Sequence, residues 1–124
     1  MNNIISIMIG GALGALVRYE LGMWVLSKCD QGFPLHTLII NITGAFLLGF
    51  LNFLFIERFK VGPMWTLGIG VGFLGAYTTF STFSYEVITL LENNCYMTAG
   101  LYVFSSLLLG VLFAALGVGL ARLI

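Results

Sequence analysis

Residues 72–86 read GFLGAYTTFSTFSYE, so two glycines come before a run of threonines and serines. The stretch lies inside an apolar segment that extends from about Val61 to Leu91. A continuous helix of that length would measure roughly 46 Å, whereas the hydrocarbon core of a bilayer is about 30 Å thick. Thr and Ser side chains compete for backbone hydrogen bonds and favour helix starts. The sequence therefore predicts a helix that is broken near Gly75.

Such a break would expose backbone groups of both signs. Carbonyls around Gly75 to Thr78 suit a hard cation such as Na⁺, and N–H groups near Thr79 to Thr82 suit an anion. Irregular backbone within a membrane occurs only where it is buried in protein or lines a polar cavity, so the break is a candidate functional site. The alternative interpretation is a Gly/Thr kink that only eases helix packing.

The composition of the chain is that of a membrane protein. Of 124 residues, 60% are hydrophobic and 8% are charged, against about 45–50% and about 25% in soluble domains. A soluble domain of this length exposes roughly a third of its chain surface, which would here be apolar and prone to aggregation. The net charge is zero and the basic residues are scattered. Lipid is therefore the expected environment, and nucleic acid is not an expected partner.

Four apolar segments are long enough to cross a bilayer as helices. We predict one all-α integral membrane domain of residues 1–124, with helices at about 4–26, 35–56, 61–91 (with a break at 75–79) and 96–124. Short polar connections imply antiparallel neighbours. The first segment lacks the basic flank and cleavage site of a signal peptide, so we expect it to be retained.

Loop charges give a weak orientation signal. Arg58, Lys60 and Arg122 lie on the side of both termini, and Lys28 lies on the other side. This favours cytoplasmic termini. The difference is only two basic residues, which leaves room for insertion in both orientations.

The two cysteines, Cys29 and Cys95, adjoin loops on the same predicted side. A disulfide between them is geometrically conceivable, but two unrelated thiols are the simpler interpretation. Neither cysteine has a His or Cys at metal-ligand spacing, so no Cys/His metal site is predicted.

Aromatic and polar side chains within the apolar segments are candidates for an ion path. Phe80 and Phe83 lie three residues apart on one helix face, and the positive edge of a phenyl ring can face an anion. The Asn41 amide can donate to an anion. Each residue also has a packing interpretation, against lipid or between helices. The role of Glu86, which either faces a vestibule or pairs with a basic group, stays open, as does that of Arg18 and Glu20.

Three stretches carry a resemblance to a known family. Residues 75–86 (GAYTTFSTFSYE), residues 10–19 (GGALGALVRY) and residues 37–41 (TLIIN) together resemble the Fluc (CrcB-type) fluoride channels. The match covers nearly the whole chain, and the TTFSTFS run is its most specific part. Two positions depart from the family pattern, Ala76 and His36, where family members often have Gly.

The resemblance implies a fluoride-selective channel that exports cytoplasmic fluoride passively, gives fluoride resistance and lies in the bacterial inner (plasma) membrane. It implies an antiparallel, dual-topology homodimer with two pores. It assigns a structural Na⁺ at the dimer centre to the backbone carbonyls of Gly75 and Thr78. The implied fluoride pore residues are Asn41, Phe80, Phe83, Ser81, Thr82, Tyr102 and Ser106.

Two other function classes remain as alternatives. A small drug/proton antiporter has similar length and helix number, but it needs a carboxylate deep in the first helix, and Glu20 lies near the end of that helix. An assembly subunit without transport activity would show no flux in liposomes. An enzyme is not predicted, because no nucleophile, base and orienting group fall together, and no phosphate-binding Gly-x-x-x-x-Gly-Lys-[Ser/Thr] motif is present.

Overall fold

The computed structural model describes residues 2–29 and 32–124, and these residues form helices without strands. Six α-helices follow one another, together with two π-helical segments that continue α2 and α3. In chain order they are α1 (Asn2–Lys28), α2 (Leu35–Asn52) with the π-helical Phe53–Arg58, α3 (Pro63–Thr66) with the π-helical Leu67–Leu74, α4 (Gly75–Tyr77), α5 (Phe80–Glu92) and α6 (Tyr96–Arg122). The prediction of an all-α fold is confirmed.

Three of these helices are long and apolar enough to cross a membrane: Asn2–Lys28, Leu35–Arg58 and Tyr96–Arg122. The segment at 61–91, for which we predicted the third of four helices with a break at 75–79, is helical from Pro63 to Tyr77 and again from Phe80 to Glu92. Its last piece, α5, has 13 residues, whereas a helix that crosses the hydrocarbon alone needs about 20.

The helical backbone ends at Tyr77, because Thr78 and Thr79 are both extended, with φ/ψ of −80°/157° and −150°/117°. The Thr78 hydroxyl donates to the Leu74 carbonyl at 3.0 Å, and that carbonyl also accepts from the Thr78 N–H at 3.0 Å. Gly75 itself remains helical, with φ/ψ of −63°/−37°. The interruption is therefore made by the two threonines and not by the glycine.

Small residues allow the helices to approach closely. The segment Leu67–Leu74 packs along α1, and α6 packs along α2. A Cβ at Gly14 would overlap the Phe73 backbone, and one at Gly117 would overlap the Phe46 carbonyl. Gly44 on α2 faces the Thr78 methyl group in the same way. This last contact brings α2 directly against the extended residues.

Candidate anion site at the Thr78–Thr79 interruption

The side-chain amide of Asn41 binds the backbone of Thr79 through two hydrogen bonds. Its Oδ1 accepts from the Thr79 N–H at 2.8 Å, and its Nδ2 donates to the Thr79 carbonyl at 3.0 Å. Thr79 is buried, so both backbone groups would otherwise lack water. The Asn41 NH₂ group has two hydrogens. One is used in this pair, which leaves the other for a further acceptor.

Helix α5 begins directly after this pair with a side-chain cap. The Thr79 hydroxyl oxygen accepts from the Thr82 N–H at 3.2 Å, and the hydroxyl donates to the Thr82 Oγ1 at 3.0 Å. In the described part of the chain, no acceptor outside the helix binds the N–H groups of Phe80 and Ser81. A helix start with free N–H groups carries partial positive charge, so it favours an anion.

A cavity of about 320 Å³ adjoins this helix start. Its lining includes four of the predicted pore residues, Asn41, Phe80, Phe83 and Ser106, together with Thr78 and Thr79. The Ser106 hydroxyl is buried and has no hydrogen-bond partner among the described residues. An amide, a hydroxyl and two phenyl rings therefore converge on one space.

The aromatic rings continue from the cavity in a chain of contacts. The centroids of Phe80 and Phe83 lie 5.7 Å apart, and those of Phe83 and Tyr102 lie 5.1 Å apart with the planes at 63°. Phe80 is 78% exposed in the isolated chain, whereas Tyr102 is fully buried. The T-shaped contact with Tyr102 holds the Phe83 ring in place. The Phe80 ring stays largely exposed.

Three predicted pore residues do not line this cavity. Ser81 lies near the Thr79 hydroxyl, at 3.4 Å, and is exposed. Thr82 lines a second cavity of about 220 Å³, which Arg18 and His36 also line. The Tyr102 hydroxyl donates to Glu86 Oε2 at 2.7 Å.

Glu86, whose role the sequence leaves open, is the centre of a polar cluster. Its Oε1 accepts from the Thr37 hydroxyl at 2.7 Å and lies 3.3 Å from His36 Nε2. Together with Tyr102, three side chains from two other helices contact one carboxylate. The cluster was not found from sequence because Thr37 and Glu86 are 49 residues apart. The only available signal was a carboxylate in an apolar helix, which requires partners.

The interruption also leaves two backbone carbonyls without their helical donors. In a continuous helix the Gly75 carbonyl would accept from the Thr79 N–H, and the Thr78 carbonyl would accept from the Thr82 N–H. These two N–H groups bind Asn41 Oδ1 and Thr79 Oγ1 instead. No other donor reaches either carbonyl among the described residues. Two free carbonyl oxygens of this kind fit a hard cation.

Comparison with known proteins gives the family of the chain. The family model described as "CrcB-like protein, Camphor Resistance (CrcB)" matches residues 5–118. The chain belongs to this family. The resemblance carried by residues 10–19, 37–41 and 75–86 is therefore confirmed.

Curated relatives match over nearly their whole length. A protein of Oceanobacillus iheyensis named "Fluoride-specific ion channel FluC" is 45% identical over 98% of this chain and 92% of its own. Proteins with the same name from Roseiflexus sp. and Geotalea daltonii are each 43% identical, over 98% and 100% of both chains respectively. With three apolar helices able to span a bilayer, the chain is a multi-pass protein of the bacterial inner membrane.

Replacing Asn41 with Ala should destabilise the protein, because it leaves the buried Thr79 N–H and carbonyl without partners. An unsatisfied buried polar group costs about 1–3 kcal/mol. We expect the free energy of unfolding, measured by SDS titration in mixed micelles, to fall by about 2–4 kcal/mol, and hydrogen exchange to accelerate at residues 78–82. Asn52→Ala on the same helix is the control, because Asn52 is exposed. Equal effects of the two substitutions would contradict this role of Asn41.

Proposed function

We propose that this chain is a fluoride-selective channel, not an enzyme, that exports cytoplasmic fluoride passively and so gives fluoride resistance. The observation that carries the proposal is the convergence of the α5 helix start, the Asn41 amide and two phenyl rings on one cavity. The names of the relatives support the same activity.

Fluoride is a small, strongly hydrated anion, so a pore must replace the water that the ion loses. The donors available at the cavity are the free N–H group of Phe80, the second N–H of Asn41 and the Ser106 hydroxyl. The ring edges of Phe80 and Phe83 would add weak positive potential, which favours an anion over a cation. Neutral donors of this kind bind an anion without holding it as tightly as a fixed cation would, and conduction requires that the ion leave again.

Two roles in the proposed path are less direct. Ser81 and Thr82 lie on the exposed first turn of α5, where their hydroxyls can receive the ion as it approaches the helix start. Tyr102 supports the path by packing its ring against Phe83 in a T-shaped contact and by binding Glu86. Its hydroxyl is committed to that carboxylate, so we assign Tyr102 a positioning role.

The direction of transport follows from the membrane potential. Neutral HF crosses lipid, dissociates in a cytoplasm that is less acidic than the surroundings, and leaves fluoride trapped by its charge. An interior-negative potential drives an anion outward by about 2.3 kcal/mol per 100 mV. A selective pore is then sufficient for export.

We further propose that two copies of the chain form an antiparallel, dual-topology homodimer with two pores and a structural Na⁺ at its centre. The dimer is supported by the exposure of Phe80 and Gly75 in the isolated chain, since a second copy would cover both. The residues that would hold Na⁺ are Gly75 and Thr78, whose carbonyls lack helical donors. A cation bound there would attract the carbonyl oxygens of both chains and so hold the two chains together.

Removing an aromatic ring from the cavity should strongly reduce fluoride flux. In liposomes containing purified protein, we expect the wild type to release fluoride and not chloride, as followed with ion-selective electrodes. Phe80→Ile keeps an apolar side chain but removes the positive ring edge, so fluoride efflux should fall at least about tenfold, which corresponds to about 1.4 kcal/mol.

The control is Phe104→Ile, the same substitution at a ring on α6 that is 64% exposed and outside the cavity lining. It should conduct as the wild type does. Absence of fluoride efflux from folded wild-type protein would refute the channel proposal and favour the antiporter or the assembly subunit. Equal loss in the two variants would refute the aromatic lining.

Removing Na⁺ should lower the thermal stability of the purified protein. A ligand that binds only the folded state contributes about 2.7 kcal/mol at a concentration 100 times its dissociation constant. We expect the unfolding temperature in Na⁺ to exceed that in N-methylglucamine at equal ionic strength. Equal unfolding temperatures in the two cations would contradict the proposed site, and this readout does not depend on flux.

Labelling of Cys95 should reveal both orientations. The chain has two cysteines, and Cys95 is exposed at the start of α6. In a Cys29→Ser variant, a membrane-impermeant maleimide applied to intact spheroplasts should label about half of the protein, and the remainder only after permeabilisation. Complete labelling, or none, before permeabilisation would show a single orientation.

A further inference from the structure

His36 contacts the carboxylate at the centre of the polar cluster. Its Nε2 lies 3.3 Å from Glu86 Oε1, and the two side chains are 24% and 17% exposed. The Nδ1 of His36 is buried and has no partner among the described residues. A neutral imidazole with its proton on Nε2 fits this contact, because its N–H then lies on the side of the Glu86 carboxylate and Nδ1 is left as an unused acceptor. A second proton would therefore bind at Nδ1.

The groups that face His36 come from three other helices. Arg18 and Tyr19 of α1 line the same cavity, Glu86 of α5 makes the direct contact, and Tyr102 of α6 reaches it through Glu86. Arginine and tyrosine side chains do not change charge between about pH 5 and pH 8, whereas histidine does.

Glu86 lies beside the proposed anion path. It is one turn beyond Phe83, and Tyr102 touches the Phe83 ring and the Glu86 carboxylate at once. Glu86 also lines a cavity of about 240 Å³ together with Gly32 and Pro34, which precede α2. A negative charge at this position repels an approaching anion. A positive imidazolium 3.3 Å away would cancel that repulsion.

We infer that His36 makes fluoride conduction pH-dependent: neutral His36 leaves the Glu86 charge to hinder fluoride, and protonated His36 cancels that charge. The inference rests on the proposed channel function and extends it to regulation. One unit charge about 10 Å from the ion, at an effective dielectric constant of about 20, changes a rate by roughly tenfold. Solvent screening reduces this effect, so we expect an increase of about three- to tenfold.

The test is fluoride current across planar bilayers with equal NaF on both sides, at about pH 7.5, 6.5 and 5.5. Electrical recording detects the ion and not neutral HF, whose leak increases in acid. Wild-type current should rise about three- to tenfold as the pH falls. His36→Gln retains a hydrogen-bond donor but does not titrate, so its current should stay constant. His36→Gly is a second non-titrating variant, in case Gln disturbs the packing.

The outcomes separate this inference from the channel proposal. Wild-type fluoride current that does not change with pH would overturn the role of His36 and leave the channel intact. A pH response that is the same in the wild type and both variants would overturn it too, because another group would then be responsible. If wild-type protein that is folded, as judged by gel filtration, carries no fluoride current at any pH, the channel function itself is refuted.

Discussion

Two hydrogen bonds between the Asn41 amide and the Thr79 backbone hold the arrangement on which the other site features depend. The amide takes the N–H that would otherwise close a helical turn onto the Gly75 carbonyl. The helix consequently ends, Thr79 becomes free to cap α5, and the cap takes the Thr82 N–H from the Thr78 carbonyl. One side chain on α2 thus leaves free carbonyls on one side of the interruption and free N–H groups on the other. Backbone groups of opposite sign are exposed a few residues apart without any charged side chain.

The position of Asn41 depends in turn on how closely the helices pack. Gly44, three residues further along α2, has no side chain to keep Thr78 away, and a Cβ there would overlap the Thr78 methyl. Tyr77 is buried beside Ile40 and Leu74, and its hydroxyl lies 2.8 Å from Thr43 Oγ1. These contacts fix α2 against the end of the helical segment. In a bilayer, close backbone approach of this kind provides much of the attraction between helices, because lipid is as apolar as the side chains.

Sequence reasoning succeeded where a local pattern determines the structure. The excess of apolar residues and the long uncharged segments predicted the all-α membrane class, and residues 75–86 predicted the family. Sequence reasoning was less exact at the interruption, where it emphasised Gly75. Gly75 is helical because its N–H still binds carbonyls of the preceding turn. The helix ends at the threonines because the Asn41 side chain competes for the Thr79 N–H. Nor did the spacing reveal the contact between Thr37 and Glu86, which depends on the packing of distant helices.

In the proposed function, the Glu86 carboxylate lies beside the path of an anion, and its negative charge repels that anion. A carboxylate in a membrane protein requires donors, and here two hydroxyls bind its two oxygens. Hydroxyl donors satisfy the hydrogen-bonding capacity of the carboxylate but leave its net charge in place, so the field that an anion meets is still repulsive. Only a third partner that carries charge can change that field, and the chain has a titratable ring at this point.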